Sequence, residues 1–117
     1  MSVKTPEASL NILYLNTRGQ TKLTLEKQMQ IDDLMKVYKV DILHLQETDI
    51  DDNSFIDCPF IKNNYTVIYN NSSTGYGTSS LVKGDLKVNN VSFDTEGRII
   101  VFDFGNITLL HMKMRQS

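Results

Sequence analysis

Apolar and polar positions alternate in blocks along the chain, and two blocks near the N-terminus carry the clearest pattern. Leu10 to Asn16 (LNILYLN) is a short apolar run that closes on a polar residue and then on Arg18-Gly19, which predicts a buried strand meeting a loop. After a polar stretch, Thr24 is suited to cap a helix, and Glu26 falls in its first turn, where a carboxylate meets the positive end of the helix dipole. Gln28, Ile31, Leu34, Met35 and Tyr38 recur at i, i+3, i+4 spacing, predicting a helix from about Leu25 to Tyr38 with these residues on its inner face. Val40 to Gln46 (VDILHLQ) is a second apolar run, ending in Gln46, Glu47 and Thr48.

Strand, amphipathic helix and strand in that order make a βαβ unit, whose two strands run parallel through a right-handed crossover. Parallel strands end on the same edge, so Asn16 and Glu47 are expected close together, on the edge where open α/β sheets bind ligands. Beyond Thr48 the pattern changes. Asp49 to Asn64 reads as a loop, followed by strands at Tyr65 to Tyr69, Thr78 to Val82, Leu86 to Phe93, Ile99 to Phe104 and Ile107 to Met112. Turn signals at Asn70 to Gly77, Gly84-Asp85, Asp94 to Gly97 and Gly105-Asn106 separate them, the mark of antiparallel meanders. A doubly wound fold would need a helix after each strand, and no second amphipathic helix of comparable strength follows Tyr38. The expected architecture is therefore α+β, a βαβ start followed by mostly antiparallel strands.

The 117 residues leave room for one domain, with residues 1–9 expected to be a disordered N-terminus. An apolar content of 40% against 22% charged residues is a globular balance. Twelve basic against fourteen acidic residues give a net charge of −2, so no bulk positive field draws the chain onto nucleic acid, and such binding would need a local site or metal ions. Cys58 is the only cysteine, which excludes an intramolecular disulfide and a cysteine-rich zinc site. With no apolar run long enough to span a bilayer and no apolar segment at the N-terminus, the expected location is intracellular, cytoplasmic or nuclear.

The acidic cluster Glu47, Asp49, Asp51 and Asp52 has the oxygen ligands that hard cations take. It is not an EF-hand, because Ser54 stands at the glycine position and Phe60 at the bidentate glutamate position. Asp49, Asp51 and Asp52 read as a solvated loop. Glu47 differs because it tips an apolar strand, where a carboxylate costs desolvation unless a cation or donor meets it. Asn16 at the matching tip fits the same site or a satisfied turn residue. His44, between Leu43 and Leu45, reads as a core residue on the face opposite Glu47, and His111 and Cys58 read as structural. Gly75-Tyr76-Gly77 matches no phosphate-loop pattern and reads as a turn.

Four blocks together, LNILYLNTRG at 10–19, DILHLQET at 41–48, GYGTSSLV at 75–82 and FDTEGRIIVFDF at 93–104, resemble the first half of the endonuclease/exonuclease/phosphatase superfamily. Within it the chain is similar to the apurinic-type endonuclease domains of non-LTR (LINE-like) retrotransposons, over about residues 10–110. The resemblance implies part of a two-layer α/β sandwich of the DNase I-like type that hydrolyses phosphodiester bonds in DNA with Mg²⁺ or Mn²⁺. It gives Glu47 the role of metal ligand, Asn16 that of positioning metal and phosphate, and Tyr76 and Arg98 contacts to the nucleic-acid backbone; a turn aromatic and a cation paired with Asp94 or Glu96 are the plainer readings of the last two.

Arg18 stands where the family often has Asp or Asn, and Lys113 where a Tyr is expected. The family's Asp-x-Asn and Ser-Asp-His blocks have no counterpart. The resemblance thus implies a truncated domain over 10–117 with a divergent tail from about 110, inactive in isolation, or a noncatalytic α/β remnant or interaction module. A half sandwich is expected to lack its second sheet and to leave apolar faces uncovered, which favours self-association.

Overall fold

The structure, a computed structural model, describes residues 10–17, 23–73 and 77–112. The expected disordered segment 1–9, Arg18, Tyr76 and the tail from Lys113 onward lie outside the described residues.

The βαβ start is as the pattern predicts. Strand β1 (Ile12–Asn16) leads to helix α1 (Leu25–Val37), which returns to strand β2 (Ile42–Thr48), and the two strands pair in parallel. Thr24 caps α1 by accepting the Lys27 N–H on its side-chain oxygen at 3.2 Å. At the other end Lys39 takes a left-handed conformation (φ 50°), and the Val40 N–H reaches back to the Met35 carbonyl at 3.0 Å. That closing turn drops Val40 into the core. Gln28, Ile31 and Met35 form the buried stripe, whereas Tyr38 lies beyond the last turn and is 66% exposed, correcting its expected inward position.

The segment expected to be entirely loop up to Asn64 contains a short helix, α2 (Pro59–Asn64), with the proline at its first turn and Ile61 buried beneath it. Strands β3 (Tyr65–Asn71), β4 (Gly77–Lys83), β5 (Val88–Phe93), β6 (Ile99–Phe104) and β7 (Ile107–Met112) follow. They form two sheets, a four-stranded one in the order β1-β2-β4-β3 and a three-stranded antiparallel one in the order β5-β6-β7. The expectation that a half sandwich lacks its second sheet is therefore wrong: β5 to β7 make a second layer of their own.

Two apolar cores follow from strand alternation. Leu43, Leu45, Leu81 and Tyr65 face one way and pack with Ile31, Met35, Ile50, Phe55 and Ile61 from the helices and the loop between. Ile42, Ile68 and Val82 face the other way and meet Ile100 and Phe102 of the second sheet. On that sheet's far face Leu110 and Met112 remain 54% and 44% exposed.

Candidate functional site at the strand-tip edge

Strand register sorts the face that looks toward the second sheet into transverse rows. The innermost runs Ile12, Ile42, Val82; the next Tyr14, His44, Ser80; and the outermost Asn16, Gln46, Thr78, Asn70. The cleft between the sheets thus grades from apolar, through imidazole and hydroxyl, to a row of amides and a hydroxyl at the strand-tip edge. Asn16 is aligned with Gln46, the neighbour of Glu47, so the two predicted site residues lie at the same strand-tip edge, as the parallel pairing requires.

Glu47 sits at an irregularity. The β2–β4 register shifts between Gln46 and Thr48, and Glu47 adopts φ 62°, a left-handed conformation uncommon for a residue with a side chain. Thr48 shows the consequence: its hydroxyl lies 2.8 Å from Ser79 Oγ, on the helix side of the sheet, where uninterrupted alternation from His44 would have turned it toward the second sheet. The alternation that assigns Glu47 and His44 to opposite faces is therefore broken at Glu47 itself. Thr17 braces the bulge, its hydroxyl lying 2.9 Å from each of the Gln46 and Glu47 carbonyls.

The turn between β5 and β6 reaches the same edge. Thr78 donates through Oγ1 to the Gly97 carbonyl at 3.3 Å, and Asn70 donates through Nδ2 to Asp94 Oδ1 at 2.8 Å. Arg98 follows in this turn, its guanidinium paired with Glu96, the plainer of its two expected partnerships. Asp94, Thr95, Glu96, Arg98, Ile99 and Met112 line an open cavity of about 320 Å³. Burial would raise the Asp94 pKa, but the N–H groups of Ile99 and Arg98, the Asn70 amide and the Glu96 N–H outweigh it and hold the carboxyl below its usual value.

His44 and His111 are fully inside, 1% and 0% exposed, with ring centroids 4.2 Å apart across the two sheets. Ser80 Oγ lies 2.7 Å from His44 Nδ1 and 3.5 Å from His111 Nδ1. One hydroxyl carries one proton, so if it donates to His44 the His111 ring donates its Nδ1–H in return. Burial, and for His44 also the charge of its neighbour, lowers the two pKa values to about 3 and about 4. Both rings are neutral at pH 7 and core-like, as read from the sequence.

Asp51 organises its own loop, accepting the Asn53 N–H on Oδ1 at 2.9 Å, while Asp52 raises the Tyr69 pKa chiefly through its charge. Among the described residues no three His, Cys, Asp or Glu side chains gather as a metal cage. Cys58 is buried and free. Sequence reading passes over Asn70 and Thr78 and takes Asp94 only as a partner for Arg98. What joins these residues is register across sheets, which no local pattern records.

No protein-family model matches the chain, and no curated protein does. Solved structures do. An AP endonuclease from Archaeoglobus fulgidus is 20% identical with a TM-score of 0.64 over 90% of this chain and 41% of its own. A truncated Caenorhabditis elegans TDP2 is 20% identical with a TM-score of 0.58 over 86% of this chain and 43% of its own. The chain thus spans less than half the length of either. Both neighbours belong to the endonuclease/exonuclease/phosphatase superfamily. At this identity the likeness is one of fold: the chain is a mixed α+β, DNase I-like arrangement of a βαβ unit and two stacked sheets.

Proposed function

We propose that the chain is the N-terminal part of a divalent-metal-dependent phosphodiesterase domain that acts on DNA and derives from a non-LTR retrotransposon. Glu47 is the carboxylate that holds the metal, and Asn16 is the amide beside it that orients a phosphate. The observation that carries this reading is the left-handed backbone of Glu47 at a bulge on the tip of the parallel pair, one residue past Gln46, which pairs with Asn16. Such strain persists where surrounding structure imposes it, and it clusters at functional sites. The DNase I-like neighbours support the same reaction class, and the four sequence blocks support the retrotransposon origin.

Mg²⁺ keeps several waters and takes one or two carboxylates together with substrate phosphate oxygens. One carboxylate and one amide suit that mode and do not suit an all-protein cage. When bound, the cation supplies charge neutralisation for the phosphate. The chain's own residues hold the geometry: Thr17 fixes the bulge carbonyls, and Arg98 and Tyr76 contact the nucleic-acid backbone. His44 and His111, buried and neutral, move no proton at the edge. Among the described residues Glu47 is the only carboxylate on strands β1 and β2, and the chain by itself binds metal without turning DNA over. An intracellular location suits the single free thiol.

Metal binding is the direct test. Mn²⁺ titration followed by water-proton relaxation is expected to show binding that Glu47→Gln weakens at least tenfold; equal binding by both proteins refutes the assignment. Plasmid nicking in Mg²⁺ is expected to be absent, and nicking that Glu47→Gln abolishes would make the chain an enzyme on its own.

One observation favours a second reading, a noncatalytic interaction module: the apolar outer face of the second sheet, with Leu110 and Met112 exposed. Sedimentation velocity over rising concentration tests it, and a strictly monomeric chain excludes self-association through that face.

A further inference from the structure

The turn between β5 and β6 is tied to the other sheet at more points than a hairpin needs. Asn70, at the end of β3, donates through Nδ2 to Asp94 Oδ1 at 2.8 Å, to the Ile99 carbonyl at 3.0 Å and to the Asp94 carbonyl at 3.2 Å, two hydrogens shared among three acceptors. Asp94 Oδ1 also accepts the N–H groups of Arg98 and Ile99, each at 3.0 Å. Thr78 of β4 adds its bond to the Gly97 carbonyl. Gly97 has φ +75°, and a Cβ there would fall 2.3 Å from the Ser72 nitrogen and 2.7 Å from the Asn71 carbonyl carbon. The turn therefore lies directly on the backbone that follows β3, a contact that only glycine permits.

Arg98 is the residue this lock immobilises. Its N–H is one of the two backbone donors to Asp94 Oδ1, and its guanidinium, paired among the described residues with the exposed Glu96, is on the wall of the open cavity. The row Asn16, Gln46, Thr78, Asn70 connects the turn to the edge that carries Glu47. An exposed ion pair holds an arginine weakly, whereas a phosphate offers it a bidentate, more highly charged partner.

We propose that Asn70 and Asp94 are positioning residues: they pin the Asp94–Arg98 turn to the first sheet so that Arg98 receives a DNA backbone phosphate beside the Asn16 and Glu47 edge, the phosphate displacing Glu96. This rests on the DNA reading above. The Arg98 contact belongs to that reading; what is added is the pair of side chains, Asn70 and Asp94, that hold Arg98 in place for it.

The test is the salt dependence of binding to a fluorescently labelled duplex, followed by anisotropy in EDTA. Losing one phosphate contact lowers the slope of log K against log salt by about 0.9, or about 3.5-fold in relative affinity between 50 and 200 mM salt. Arg98→Gln is expected to lose that increment and Arg98→Lys to retain most of it. Asp94→Asn and Asn70→Ala are expected to lose the same increment as Arg98→Gln, and the double variant Arg98→Gln/Asp94→Asn to lose no more than either alone. Thr24→Ala, which weakens the α1 cap far from the turn, serves as the control and keeps the full slope despite a lowered Tm.

Asp94→Asn and Asn70→Ala proteins that melt earlier yet keep the full slope overturn the proposal, as do additive losses in the double variant. A wild-type chain that does not bind duplex DNA at low salt overturns it as well. Mn²⁺ binding that depends on Glu47 would in that case leave the metal assignment standing, so the two failures are distinguishable.

Discussion

Lowering the pH from 7.5 to 5.0 is expected to destabilise this fold through two residues, His44 and His111. In the unfolded chain each titrates near 6.5, whereas the folded values are about 3 and about 4. Below pH 6.5 the unfolded chain therefore takes up protons that the folded chain refuses, and stability falls as the pH drops. At pH 5.0 both folded rings are still neutral, so the size of the loss depends on the unfolded value alone: about 2 kcal/mol for each ring and about 4 kcal/mol for the pair. That is a large share of the roughly 5–15 kcal/mol typical of a domain.

Further acidification toward pH 4 and below adds Asp94 and Asp103. Their folded pKa values are depressed, so the stability they contribute is lost as the pH falls through them. Urea unfolding at constant ionic strength, followed by circular dichroism, measures the effect, and His111→Leu isolates half of it. The substitution removes one titrating ring and an Nε2 that is buried with no hydrogen-bond partner among the described residues, so at pH 7.5 it is expected to be neutral or stabilising by about 1 kcal/mol. Its loss between pH 7.5 and 5.0 should fall to about 2 kcal/mol. A wild-type unfolding free energy that is the same at both pH values, or a variant with the full wild-type loss, refutes the reasoning.

Three further outcomes are expected at other positions. Glu47→Gly relieves the left-handed backbone and should raise the urea-derived stability by about 1 kcal/mol while abolishing Mn²⁺ binding; a variant less stable than wild type would show that the bulge stores no strain. Gly97→Ala drives a Cβ into the Ser72 backbone at a positive φ and should cost about 2 kcal/mol or more, a value that a change below about 0.5 kcal/mol in the same assay would contradict. Thr24→Ala removes the side-chain cap of α1 and should cost about 1 kcal/mol in thermal or urea unfolding; no change would mean that the cap contributes nothing.

Local pattern alone carries a large part of this molecule. The i, i+3, i+4 spacing and Thr24 define α1, the runs at Ile99 to Phe104 and Ile107 to Met112 coincide with β6 and β7, and the parallel pairing that brings Asn16 beside Gln46 follows from strand–helix–strand order. Those features depend on neighbours close in the chain, or on a handedness rule that holds for almost any such unit. The bulge that takes Glu47 out of alternation is different, because it is a mismatch between β2 and β4, strands some thirty residues apart.

The same holds for the His44–Ser80–His111 contact and for the Asn70–Asp94 tie, each made by residues 24 or more positions apart in the chain. Tyr38 keeps helical spacing but lies past the last turn, where the chain leaves for β2 and its ring is exposed. Alternation states which residues share a face. Which of them share a row, and which row of one sheet meets the other, is decided by hydrogen-bond register and by the packing of the two sheets against each other, and those exist only once the chain has closed on itself.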